Sequence, residues 1–203
     1  MRIYFLLALL SVVSSCSDTA TSEAPKAPPK APEPITGRMA FQRTFPTART
    51  WSPDCQPLRI HSLILDQVKA EDGKSGAWEV TYVSAQLGKA RTYTWSAVEA
   101  GGNLHEGVFA GPVESWSGPQ GQEHPFLPAA IAIDSTDALQ TAIASSKKYL
   151  ASPGTKPPVT FLLEATSRFP DPAWRILWGT SIASAEYSVF VDATTGKFLQ
   201  EVR

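Results

Sequence analysis

The sequence is poor in the residues that most often carry chemistry. Its 203 residues include two Cys and three His, too few for a zinc cluster or a disulfide-stapled scaffold. Neither charge sign dominates: 18 Lys and Arg face 19 Asp and Glu, a net charge of −1, which removes the basic footprint of a nucleic-acid binder. The apolar run Ile3 to Val13 holds 11 residues (13 − 3 + 1), too short to span a bilayer as a mature helix. What is present is ordinary globular material. A hydrophobic content of 43% against 18% charged residues excludes a disordered chain, and the length leaves room for one or two domains.

Motifs for catalysis are incomplete wherever they begin. Gly73-Lys74-Ser75 echoes the end of a phosphate loop, but the required upstream glycine is Val68, so a hairpin turn is the reading. His105-Glu106 lacks a second His four residues after His105, where Phe109 stands. Asp171 and Asp192 are separate acids near turns, and His61, His105 and His124 are scattered. No recognisable thiol-protease motif surrounds Cys55. No catalytic residue, metal ligand or cofactor is therefore expected, and the chain reads as a non-enzyme. Trp78, Trp95, Trp174 and Trp178 sit at strand periodicity and are assigned to the core. Trp116 stands apart from that pattern, as a candidate for exposure.

The N-terminus carries an address. Met1-Arg2 precedes the 11-residue run, as in a secretory signal, and Val13-Ser14-Ser15-Cys16 follows it. This resembles the bacterial lipobox. The resemblance implies cleavage before Cys16 and acylation of its thiol and new amino group, with enough acyl chains for stable anchoring in membrane lipid. Ser17, rather than the Asp of an inner-membrane retention signal, points to the outer membrane. Ser17 to Pro34 alternates Pro with Ala, Lys and Glu, a stalk that in polyproline II form reaches roughly 50 Å.

Beyond Ile35 the sequence repeats itself. At an offset of 98, Ala40, Phe41 and Gln42 fall on Ala138, Leu139 and Gln140, and Leu63 falls on Phe161. At 96, Trp78, Val80 and Tyr82 fall on Trp174, Ile176 and Trp178; at 94, Tyr93 falls on Tyr187. Each unit reads as a helix followed by an antiparallel meander, an α+β class with two units packed together. The expected helices run from about Met39 to Trp51, where Pro46 should kink or break the helix, and from Asp134 or Ser135 to about Ala151. Strands are expected near 58–67, 77–85, 90–99 and 103–109, and near 158–166, 173–180, 185–193 and 197–202. The organisation is a signal peptide over 1–15, lipidated Cys16 and stalk over 16–34, a first unit over 35–109, a connector over 110–128 and a second unit over 129–203.

The second unit combines Asp137-Ala138-Leu139, Trp174-Arg175-Ile176 and the ending Val189-Phe190-Val191-Asp192-Ala193-Thr194-Thr195-Gly196-Lys197. Over about 130–203 this resembles a PepSY module, a helix-on-sheet shape shared with cystatins. The resemblance implies a peptidase-modulating or partner-binding role in the cell envelope. Asp192 and Gly196 themselves read as turn residues.

The expected function is a lipid-anchored, non-catalytic protein that binds an envelope protein, with a glycan- or peptide-binding groove between the units as the alternative. Alternation places Leu177 and Phe190 on the sheet face away from the helix. With Trp116 they form the candidate partner face, unless they pack against the first unit or the connector.

Overall fold

The computed structural model describes residues 31–203 apart from 103, 120–122 and 155. The signal peptide, Cys16 and the stalk as far as Lys30 lie outside the described residues.

The elements in chain order are β1 (Ile35–Thr36), α1 (Gly37–Trp51), β2 (Gln56–Leu63), β3 (Lys74–Ser75), β4 (Ala77–Ser84), β5 (Lys89–Ser96), β6 (Gly107–Ser115) and β7 (Glu123–His124). A short 3-10 turn at Pro128–Ala130 leads to α2 (Ser135–Ser145), α3 (Lys147–Leu150), β8 (Val159–Thr166), β9 (Ala173–Trp178), β10 (Tyr187–Asp192) and β11 (Phe198–Val202). The fold is α+β. The succession of a helix and a four-stranded meander occurs twice, as α1 with β2, β4, β5 and β6, and as α2 with β8 to β11. All eight meander strands form one antiparallel sheet in the order β11-β10-β9-β8-β2-β4-β5-β6, and β7 adds to β8. The halves therefore meet edge to edge. Their seam is short: Arg59, Ile60 and His61 of β2 pair with Glu164, Leu163 and Leu162 of β8.

Helix α1 buries Gly37, Ala40, Phe41, Thr44 and Ala48, a stripe at three- and four-residue spacing facing the sheet. It runs through Pro46 as one helix, against expectation. Proline deprives the carbonyl four residues earlier of its donor, but Gln42 and Pro46 are both exposed, so that carbonyl faces water. The second helix stops earlier than expected. Ser146 ends α2, and its Oγ donates back to the Ala142 carbonyl at 2.6 Å, which separates α3 from α2.

Both helices cover one face of the sheet. The largest fully buried side chains, Trp78, Trp174, Tyr82, Tyr93, Tyr187 and Phe161, belong to the core that fills this layer. Trp78 and Trp174 take the same place in the two halves. Each indole Nε1 donates at 2.9 Å to the carbonyl just before a helix N-cap, Ile35 for Trp78 and Ile133 for Trp174. Their rings meet edge to face with centroids 6.4 Å apart.

Two expected equivalences shift. Tyr93 pairs with Val80, and Val189 pairs with Ile176, so Val189 stands where Tyr93 does, while Tyr187 lies two residues away opposite Trp178. A shift of two keeps the same sheet face, so alternation alone cannot detect it. In the first strands, Ile60 opposite Val80 corresponds to Phe161 opposite Ile176, and Leu63 does not. The apolar run Leu63-Ile64-Leu65 leaves the strand after Leu63 and becomes loop. The expected boundary at 109 also moves, because β6 continues to Ser115 and the start of the expected connector is strand.

Candidate binding grooves

The loop from Ile64 to Gly73 folds across from the first half to the second. Its tip is a tight turn with Asp72 at φ 46° and Gly73 at φ 82°, closed by the Glu71 and Lys74 backbone pair. Gly73-Lys74-Ser75 is thus the hairpin turn read from the sequence. Glycine is required at 73, since a Cβ there would lie 2.6 Å from Thr136 Cα. Ser135 Oγ donates to the Gly73 carbonyl at 2.6 Å, pinning the tip to the start of α2.

Between this loop and the second half lies a groove of about 510 Å³. Its floor is apolar: Leu65 from the loop, Leu139 from α2, and Val159 and Phe161 from β8. Ile64 forms the lip and is 44% exposed. Asp66, Lys69, Glu71, Asp72 and Lys74 supply charge around it. An apolar centre with a charged rim is the anatomy of a protein-recognition surface. Sequence pattern missed this site. The available signal was an apolar run overshooting its strand into a charged loop.

The helix-free face is closed over the residues expected to meet a partner. Leu177 and Phe190 lie on that face, as alternation requires, but are 1% and 7% exposed. Phe190 is covered by the Phe169 ring at 5.0 Å and by the guanidinium groups of Arg175 and Arg168 at 5.1 and 5.8 Å. Arg168 is held over it by a hydrogen bond to Gln200. Leu177 lines a pocket together with Arg59, His61, Glu79 and residues 181–183. Both residues are therefore buried within the chain, which corrects the expectation of an open partner face. Trp116 is half-buried against Leu58, Val83 and Ala90, so it too works as a cover. Phe126 enters the main core, and its N–H donates to the Pro57 carbonyl at 3.0 Å.

The remaining titratable residues have structural settings. Cys55 is buried, and burial pushes its thiol pKa up, the opposite of what a nucleophile needs. His105 Nδ1 lies 2.7 Å from Glu99 Oε1 on the surface, and His124 Nε2 lies 3.3 Å from Ser167 Oγ. His61 lines a second pocket on the helix-free face, with its pKa lowered by burial. Asp192 Oδ1 accepts from the N–H groups of Thr194 and Thr195 at 2.8 and 2.7 Å, and Gly196 takes φ 73°. Both residues are accounted for by the turn between β10 and β11.

No family model and no curated protein matches the chain. Among solved structures it is similar to a protein of Clostridium difficile 630 described as a "putative lipoprotein", with 10% identity and a TM-score of 0.48 over 86% of this chain and 95% of that one.

Proposed function

We propose that this chain is a lipid-anchored, non-catalytic protein of the bacterial cell envelope, and that its groove receives an apolar segment of a partner protein. The anchor is Cys16 in its lipobox-like setting. Ser17 after it directs the protein to the outer membrane, and the Pro-rich stalk holds the body away from lipid. The observation that carries the binding role is the groove itself: an apolar floor with Ile64 at the lip, inside a ring of mixed charge. Its walls come from both halves of the fold. Stacking surfaces for a sugar are scarce there, since Phe161 is only 2% exposed, so a polypeptide suits it better than a glycan. The PepSY resemblance makes an envelope peptidase the first partner to test.

Two measurements on the full-length protein in native membranes test this reading. Cys16→Ser should release the body from the membrane fraction, and an unmodified Cys16 in the mature wild type would refute the anchor. A photo-cross-linking residue at Ile64 should capture one defined protein. Ile64→Asp should abolish that capture while leaving stability within about 0.5 kcal/mol, as is usual for an exposed position. Capture that persists in Ile64→Asp would place the partner elsewhere.

A further inference from the structure

Among the described residues, the main sheet ends on two strands that are paired on one side, β11 and β6. An edge strand presents unpaired N–H and C=O groups, and charged side chains are a usual guard against its pairing with another chain. β11 has that guard, in Glu201 within it and in Lys197 and Arg203 at its ends. β6 lacks it. From Gly107 to Val113 it reads Gly-Val-Phe-Ala-Gly-Pro-Val, without a charge. Val108, Phe109 and Val113 are large apolar side chains left exposed along it.

The ladder fixes which backbone groups of β6 are free. The Ala97 N–H donates to the Gly76 carbonyl, and the Trp116 N–H donates to the Gly88 carbonyl. Hydrogen-bonded and non-hydrogen-bonded positions alternate along an antiparallel pair. Counted along the registers from these two bonds, the even-numbered residues of β5 turn their backbone groups toward β6. Their partners include Gly107, opposite Ser96, and Phe109, opposite Thr94. Val108 and Ala110 alternate with these, so their N–H and C=O groups point away from β5. Beyond them the edge closes. The register shifts between Arg91 and Tyr93, where Gly111 and Pro112 form a bulge, and Pro112 has no N–H to offer. The open stretch is thus Gly107 to Gly111.

Another extended strand satisfies such a stretch, and a second copy of β6 matches it. Outward-pointing residues must pair with outward-pointing residues. A two-fold axis at Phe109 sets Val108 of each copy against Ala110 of the other, which uses every free group of the stretch. An axis at Val108 would set Ala110 against Glu106, and an axis at Ala110 would set Val108 against Pro112. With the axis at Phe109, the two Phe109 rings form a non-hydrogen-bonded pair, the closer kind, and aromatic pairs of this sort stabilise a sheet. The same register brings Glu106 of each copy opposite Pro112 of the other. There it meets the Arg91 guanidinium, whose Nε donates to the Gly111 carbonyl at 2.8 Å. The contact is isologous, so this charge match occurs twice. From this geometry we propose that β6 is a self-association edge, through which two copies of the chain join their sheets with Phe109 on the two-fold axis.

Disulfide trapping and analytical ultracentrifugation of the detergent-solubilised full-length protein test this. Phe109→Cys should cross-link to itself under mild oxidation, because facing Cβ atoms in such a pair stand about 4.5–5.5 Å apart. Leu199→Cys, on the guarded edge β11, should not cross-link, and the native Cys55 is buried. Ala110→Pro removes an outward N–H and leaves the β5 ladder intact. It should weaken dimerisation about tenfold or more, the effect of two lost hydrogen bonds per dimer, at an unchanged melting temperature. Phe109→Lys sets like charges face to face across the axis and should weaken it as much, which keeps the test decisive if the proline disturbs folding. A wild type that sediments as monomer alone would overturn the assignment. So would Leu199→Cys cross-linking as strongly as Phe109→Cys, or dimerisation that Phe109→Lys leaves untouched.

Discussion

Thr36 Oγ1 donates to Asp134 Oδ2 at 2.7 Å, so the N-caps of the two helices are hydrogen-bonded to each other. The same carboxylate accepts from the Arg38 and Ser135 N–H groups at 3.0 and 2.7 Å, one from each helix. Gly37 N–H completes the link by donating to Ser135 Oγ at 2.9 Å. One buried acid thus satisfies orphan donors at both positive helix ends. The geometry demands closeness, since a Cβ on Gly37 would lie 2.5 Å from the Trp174 ring.

Asp134→Ala should therefore cost more than a single cap. A cap is worth about 1 kcal/mol; with donors of both helices left unpaired, the expected loss is about 2–4 kcal/mol. Urea unfolding checks this. A loss near 1 kcal/mol would mean that α1 does not depend on the acid.

Trp174→Ala should destabilise by about 3–5 kcal/mol, because it removes a fully buried indole from a packed core. Trp174→Phe separates volume from polarity. It retains a ring but leaves the Ile133 carbonyl without its donor, an expected cost of about 1–3 kcal/mol. Matching values for the two Trp78 variants would show that the indoles act alike.

Asp54 predicts an acid limb. Hydrogen bonds from Ser52, the Gln86 N–H and Ser84 hold its carboxyl at about 2, below the ordinary 3.8. A depressed carboxylate contributes stability that is present above the unfolded value and is lost as pH falls through the folded one. Stability followed from pH 5 down to about 2 should fall less steeply in Asp54→Asn than in the wild type, with the difference confined to the window between about 4 and about 2. Parallel curves would remove Asp54 from the acid response.

Leu177→Asp places a carboxylate at a site 1% exposed and should cost more than about 4 kcal/mol. Phe190→Asp should cost less, because Arg168 and Arg175 already lie over that ring and can pair with the new charge. A stable Leu177→Asp protein would contradict the packing of this face.

Much of the architecture was legible because alternation and turn chemistry are local. Trp78-Glu79-Val80-Thr81-Tyr82 states its two faces outright, and Asp192 with Gly196 states its turn. Register was legible only to within the period of two, which is why Tyr93 was matched to Tyr187 and not to Val189. The coverage of Phe190 was hidden, since it depends on Phe169, a loop residue with no periodicity. The groove was hidden for the same reason: Ile64 and Leu65 look like the end of a strand until the chain is seen to turn. The Arg59, His61 and Glu79 wall needed the β2–β4 register, which sequence spacing does not supply.

The shortness of the seam has a consequence for how the chain is made. Each meander is assembled from hairpins whose strands are near in sequence, whereas the seam joins residues about a hundred positions apart, as in the Ser62 Oγ bond to the Phe161 N–H, a separation of 99. Contacts of that range form late. Until β8 arrives, β2 stands as an open edge, able to template pairing with any strand nearby. Synthesis from the N-terminus delivers β2 first, so the chain carries this exposed edge through the whole interval before its second half is made. That interval is when the order of the strands leaves the chain most open to mispairing.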